Sequence, residues 1–144
     1  MKLNRRQICE IYGPAAKEVG LRHNLEPSLI LAVIEQESMG DDRAASGADA
    51  YGLMQLRHTA VSDYNRKTNS DFTMYDALFL RRTNIEIGSW YLRWLLAELG
   101  DPREALRAYN VGIGTVRKGD PLPGSEYADS VLERKRGIEA ILSI

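Results

Sequence analysis

The chain has 144 residues but only one cysteine, Cys9, and two histidines, His23 and His58. A single thiol excludes an intrachain disulfide, and these three side chains do not make up a Cys/His zinc set. Cys9 reads as a small buried hydrophobe. No run approaches the roughly 20 consecutive apolar residues of a membrane span. The opening "MKLNRRQICEIYGPAAKEVG" is basic but lacks the apolar stretch of a secretory signal. Charge of one sign is also missing: the formal net charge is -1, so a general nucleic-acid binder is not expected. Two short basic clusters, "RRQ" at 5–7 and "LERKRG" at 132–137, read as solvated helix faces.

Convincing strands are scarce too, whereas helical periodicity is everywhere. The length suits one domain, 1–144, with a sizeable core. A first helix is expected over about 4–19, interrupted or restarted at Gly13-Pro14. Pro27 opens an apolar helix that ends near Ser38. Residues 39–51 read as an irregular loop, a short helix is expected around 54–64, and "SDFTMYDALF" reads as a turn and a helical start. Residues 82–100 form the clearest amphipathic segment, with Ile85, Trp90, Leu92, Leu95, Leu96 and Leu99 on its apolar faces and Gly100 as a stop. Asp101-Pro102 caps and opens the next helix. Glycines and prolines break helicity over 111–124, and Ser125 is placed to cap a last helix with Ala128, Val131, Leu132 and Ile138 inward. The fold class is mostly α, with an irregular loop or small β element at about 41–56.

The apolar helix "SLILAVIEQES" carries two carboxylates in its last turn, Glu35 and Glu37. Glu37 follows Ile30, Val33 and Ile34 and sits at the helix's carboxyl end, where desolvation and the helix dipole both disfavour its ionised form. Such a carboxyl suits a general acid. Glu35 lies about 200° around the helix and has Leu31 as an apolar neighbour. Periodicity does not choose between them, and both could reach solvent at a fraying end.

Further along stand "AYGLMQL" at 50–56, "NIEIGSWYLRWLL", "RAYNVGIG" and "EYADSV". Together with "ES", these blocks in this order resemble the lysozyme-like lytic transglycosylases and their relatives the goose-type lysozymes, from about residue 26 to 136. The resemblance implies a single-domain lysozyme-like helical fold. It also implies cleavage of peptidoglycan glycan strands between N-acetylmuramic acid and N-acetylglucosamine, closing a 1,6-anhydro ring. It maps the catalytic glutamate of "ES" onto Glu37 and leaves Glu35 without a role, so that Glu35→Gln is expected to be mild. Ser38 could orient the glycan, Gly52 permits a close backbone approach, and Gln55 can bond a sugar amide. Met54 reads as packing more than as a contact wall. By the resemblance, Tyr109 and Asn110 face the reaction centre, and Tyr127 matches a second tyrosine near the acid; a core aromatic is the alternative for both rings. Gly112 and Gly114 follow a helix and read as turn glycines, not as a phosphate loop.

Three departures stand out: Asp41-Asp42 for a usual Asn-Pro, Asp49-Ala50 for Gly-Ala, and "LRHTA" where a proline is typical. Goose-type lysozymes carry a water-orienting aspartate where this chain has Arg57. Asp49 is an approximate match for a second carboxylate, so a hydrolytic muramidase is the runner-up and an inactive peptidoglycan-binding module a remoter alternative. No metal and no cofactor is expected, and the partner is the glycan strand, met by a monomer. The implied location is the cell wall, periplasmic or extracellular. With no signal peptide, delivery falls to a phage lysis system (an endolysin), to a secretion machine, or to a chain whose signal has been removed.

Overall fold

A computed structural model describes residues 1–143; Ile144, the end of the expected 1–144 domain, lies outside the described residues. Eight helices follow one another among the described residues: α1 (Arg5–His23), α2 (Pro27–Ser38), α3 (His58–Thr68), α4 (Met74–Phe79), α5 (Arg81–Leu99), α6 (Pro102–Val111), α7 (Ile113–Arg117) and α8 (Ser125–Leu142). The only β features among the described residues are two isolated antiparallel bridges, Ala45 to Tyr51 and Tyr51 to Leu56, within the expected loop. The mostly α reading with a small β element is thus borne out.

Helix α2 is the centre of the packing. Ile30, Leu31, Ala32, Val33 and Ile34 are all fully buried, so this helix is enclosed on every side rather than on one stripe. Helices α1 and α8 pack directly against it, and α5 and α6 close the core with Ile85, Ile87, Leu92, Leu95 and Leu106. The caps follow local chemistry. Asn4 and Gln7 form a reciprocal capping box on α1, and Asp101 accepts from the Glu104 amide at 3.0 Å with Pro102 behind it.

Several boundaries differ from expectation for identifiable reasons. Helix α1 runs unbroken through Pro14. The usual clash of a proline ring with the preceding residue is relieved because Gly13 has no Cβ, and Pro14 faces solvent, where the carbonyl it leaves unpaired can be hydrated. Helix α3 begins at His58 rather than near 54, because Gly52 and Gln55 hold positive φ of 80° and 53°, which no helix accommodates. Ser125 is the first residue of α8 rather than its cap; Gly124 takes the cap position and the Ser125 hydroxyl donates to the Pro121 carbonyl. A five-residue helix, α7, forms inside the segment read as non-helical.

Glu35 overturns its sequence reading. Its side chain is 3% exposed and accepts from Arg5 Nε at 2.8 Å and Arg5 Nη2 at 3.0 Å, and from Arg134 Nη1. Burial works to raise this carboxyl, but the hydrogen bonds from the two guanidiniums outweigh burial and hold it below its ordinary value. Arg5 and Arg134 come from the two clusters read as solvated, and here they converge on one carboxylate that joins α1, α2 and α8. Removing the charge leaves both guanidiniums without their anion, so Glu35→Gln is expected to lower stability by about 1–3 kcal/mol, the arginines being partly hydrated. Urea unfolding checks this. Because the folded pKa is depressed, the deficit is full above the ordinary 4.5 and shrinks as pH falls through the folded value.

Candidate active site

The carboxyl end of α2 is held by its neighbours. The Ser38 hydroxyl donates to Leu53 O at 2.8 Å and Ile34 O at 3.1 Å, and accepts from the Gly40 amide at 3.2 Å. Tyr12 of α1 donates to Gly40 O at 2.8 Å. Ser38 is therefore committed to tying the helix end to the 51–56 turn and has no hydroxyl left for a glycan, which corrects the role expected of it.

That turn is fixed by a residue the sequence reading passed over. Asn84 of α5 is 1% exposed; its Oδ1 accepts from the Met54 amide at 2.8 Å, and its Nδ2 donates to Leu78 O at 2.8 Å and Tyr51 O at 3.2 Å. Gly52 is required here by the protein itself: at φ 80° a Cβ would lie 2.0 Å from Leu78 O and 2.4 Å from Asn84 Nδ2. The close approach expected at Gly52 is thus made by α4 and α5, not left open for a sugar. Met54 is fully buried, and a Cβ on Gly88 would lie 2.5 Å from its sulfur, so it is a packing residue, as read. Gln55 Nε2 donates to Gly52 O at 3.0 Å and Ala44 O at 3.1 Å, while the residue borders a cavity. The signal for Asn84 was present: an amide in the apolar register of "NIEIG" needs buried partners.

Around Glu37, Tyr127 lies near the acid as expected, whereas the Tyr109 hydroxyl is bonded to the backbone. Tyr127 of α8 donates to Glu37 Oε2 at 2.8 Å. Tyr109 donates to the Met54 carbonyl at 2.7 Å and lies parallel to Tyr127, with ring centroids 6.5 Å apart at 6°. Beyond it come Tyr91, 5.5 Å from Tyr109, and Trp94, stacked on Tyr91 at 6.2 Å. The four rings form a row leading away from the carboxyl. Asn110 is exposed at the border of two openings. One, of about 270 Å³, is lined by Gln55, Arg57, Asp63, Tyr91 and Tyr109. The other, of about 760 Å³, is lined by Gln36, Leu122, Ser125, Tyr127 and Ser130. Arg107, also unremarked in the sequence, is 3% exposed and donates to Pro123 O at 2.8 Å and to Asp120 O, anchoring the 120–124 segment beside the second opening.

Glu37 lies behind the larger opening, bonded to Tyr127 on that opening's border. Burial pushes its carboxyl up to about 7, against the Tyr127 hydrogen bond and the Arg57 charge, both of which favour the carboxylate. At that value the group can both give and take a proton near neutrality. Burial also raises both tyrosine hydroxyls, reinforced by the Glu37 charge. Asp49 is exposed and accepts from Tyr51 Oη at 3.3 Å, and its charge is not among those acting on Glu37. Among the described residues, no group of His, Cys, Asp or Glu is arranged to hold a metal.

A family model described as the Transglycosylase SLT domain matches residues 14–127, most of the chain. The chain belongs to this family. The membrane-bound lytic murein transglycosylase C of Yersinia enterocolitica is 36% identical over 115 residues, covering 73% of this chain and 32% of that protein. Its counterpart in Serratia proteamaculans is 34% identical over the same shares. An inactive mutant of lytic transglycosylase Slt from Pseudomonas aeruginosa superposes with a TM-score of 0.83 at 25% identity, over 92% of this chain and 24% of that one. The 70 kDa soluble lytic transglycosylase of Escherichia coli gives 0.82 at 25% identity, over 91% and 24%. The chain thus spans about a third of the length of these curated relatives and a quarter of the solved structures. The fold is lysozyme-like, as the resemblance implied.

The raised carboxyl has a cost in stability. Between the ordinary 4.5 and about 7 the folded state holds a proton that the unfolded state releases, so stability falls as pH rises through this window. Glu37→Gln removes the penalty. The variant is expected to exceed the parent protein by roughly 1–3 kcal/mol above pH 7 and to match it below the ordinary 4.5, in urea unfolding at each pH.

Proposed function

We propose that the chain is a peptidoglycan lytic transglycosylase that cleaves the β-1,4 bond between N-acetylmuramic acid and N-acetylglucosamine without consuming water. The observation that carries this reading is one carboxyl of pKa about 7, bonded to a single tyrosine and with no second carboxylate acting on it. Glycosidases that work through two carboxylates need both beside the scissile bond. A lone acid suits a mechanism in which the substrate supplies the rest.

In that mechanism, neutral Glu37 gives its proton to the glycosidic oxygen as the bond to C1 breaks. The N-acetyl carbonyl of the muramoyl residue supports the positive charge at C1. Glu37, now a carboxylate, takes the proton of the 6-hydroxyl, and O6 bonds to C1 to close the 1,6-anhydro ring. The 6-hydroxyl is tethered to the reacting sugar and has the effective concentration of an intramolecular nucleophile, which free water lacks. Tyr127 holds the carboxyl in place and steadies the anion, and Asn110 offers an amide at the junction of the two openings, one for each side of the scissile bond. Gln55 keeps its amide oxygen for a sugar donor, since its nitrogen is bonded to the turn. The row of rings from Tyr127 to Trp94 gives apolar faces for pyranose rings, and the strand is cut by a monomer in the cell wall. The two curated relatives above are named membrane-bound and the Escherichia coli structure soluble, whereas among this chain's described residues no helix is long and apolar enough to cross a membrane.

Two outcomes test the assignment of groups. Tyr127→Phe removes the donor that favours the carboxylate, so the alkaline limb of the rate profile should move to higher pH, with kcat about 10-fold lower or more. Tyr109→Phe should leave that limb in place and lower the melting temperature, because it strips the Met54 carbonyl of its partner. Mass spectrometry of fragments released from purified cell walls tests the reaction. Anhydro ends, lighter than reducing ends by one water, should dominate, and Glu37→Gln should release on the order of 10²-fold fewer fragments or less still. A predominance of reducing ends suppressed by Asp49→Asn would make the protein a hydrolase.

A further inference from the structure

Arg57 is a cation whose side chain has no bonded partner among the described residues. It stands at the N-cap of α3, where its carbonyl accepts from the Ala60 amide at 3.1 Å and its side chain forms no cap. A short polar side chain that could bond the first turn is the ordinary choice at this position. Among the described residues its guanidinium makes no hydrogen bond and no ion pair, although it is exposed along the smaller opening beside Gln55, Tyr109 and Asn110. Asp63 borders the same opening, but its carboxylate is bonded by Arg66 at 2.9 Å.

Its charge nevertheless reaches the reaction centre: it acts on Glu37 and on Tyr91, favouring the ionised form of each. Arg57 therefore borders the same opening as Tyr91 and Tyr109, within electrostatic reach of the acid. A glycan ring stacked there is neutral and gives a guanidinium nothing strong to bind, but the strand proposed above carries carboxylates. A guanidinium meets such a group through two parallel charged hydrogen bonds, an arrangement that a neutral amide cannot repay equally.

We propose that Arg57 is a specificity-determining residue that pairs with a carboxylate carried by the bound glycan strand. This rests on the glycan-cleaving reading above and adds which strands the site prefers. The carboxylate has two sources: the lactyl group of muramic acid freed of its peptide, or the acidic groups of an attached stem peptide. The pairing is made in the bound state and persists through bond breaking, so it acts on KM more than on kcat. A role limited to tuning Glu37 would instead change every substrate alike.

The test uses four strand preparations: peptide-free, peptide-free with carboxylates converted to methylamides, peptide-bearing, and peptide-bearing with carboxylates converted. The wild-type chain should favour a carboxylate strand over its own methylamide by about 10-fold in kcat/KM, mostly through KM. A preference within the peptide-free pair assigns the lactyl group, and one confined to the peptide-bearing pair assigns the stem. Arg57→Gln should bring that ratio close to one, and Arg57→Lys should keep part of it. The guanidinium has no partner among the described residues, so these variants should melt with the parent. A wild-type ratio near one, or a ratio unchanged in Arg57→Gln, overturns the proposal while cleavage of the strands still supports the enzyme. Failure of the wild-type chain to cleave any of the four overturns both.

Discussion

The ion cluster of Glu35 with Arg5 and Arg134 is the constraint on which the rest of the molecule depends. Helix α2 is apolar on every side, and a helix of this kind can slide or rotate at little cost as long as it stays covered. A buried carboxylate cannot: it must meet its two guanidiniums, one from α1 and one from α8. Arg134 also donates to Gln36 Oε1 at 2.9 Å, so two successive residues of α2 are registered against α8. One residue further on is Glu37, and two turns before Arg134 on α8 is Tyr127. The hydrogen bond between those two follows from the register the ion cluster sets.

Two glutamates separated by one residue thus end in opposite electrostatic states. Both are withdrawn from water, Glu35 almost wholly and Glu37 in part. Glu35 receives charged donors on both oxygens, and its ionised form wins. Glu37 receives one neutral hydroxyl and a more distant arginine, and burial wins. The pair shows why burial alone does not make a reluctant acid; what matters is what else is buried with it. The first carboxylate stabilises the fold by being charged, and the second is useful by being held where charging is costly.

Much of the architecture was legible because it follows from local chemistry. Pro27 at the start of α2, Asp101-Pro102 before α6 and the apolar faces of α5 read directly from short-range rules. The misses involve partners distant in sequence. Nothing near Glu35 names Arg134, 99 positions away, and the basic clusters look solvated until that carboxylate requires them. Ser38 and Gly52 were rightly singled out as positions of consequence, but the atoms that crowd them belong to the protein's own turn. Tyr109 and Tyr127 could not be told apart by composition, since which hydroxyl reaches the acid depends on how α6 and α8 meet. Asn84 carried a readable signal, an amide in an apolar register. The start of α3 had none, because positive φ at Gln55 is a property of the folded turn.

The state of Glu37 is the centre of this account, and carbon-13 NMR of side-chain carboxyls observes it without reference to substrate. With glutamates labelled and assigned through Glu37→Gln, the Glu37 resonance should titrate with a midpoint at about 7, while the Glu35 resonance should titrate below the ordinary 4.5. A Glu37 midpoint near 4.5 would contradict the account, because a carboxyl ionised throughout the neutral range holds no proton to give to a glycosidic oxygen.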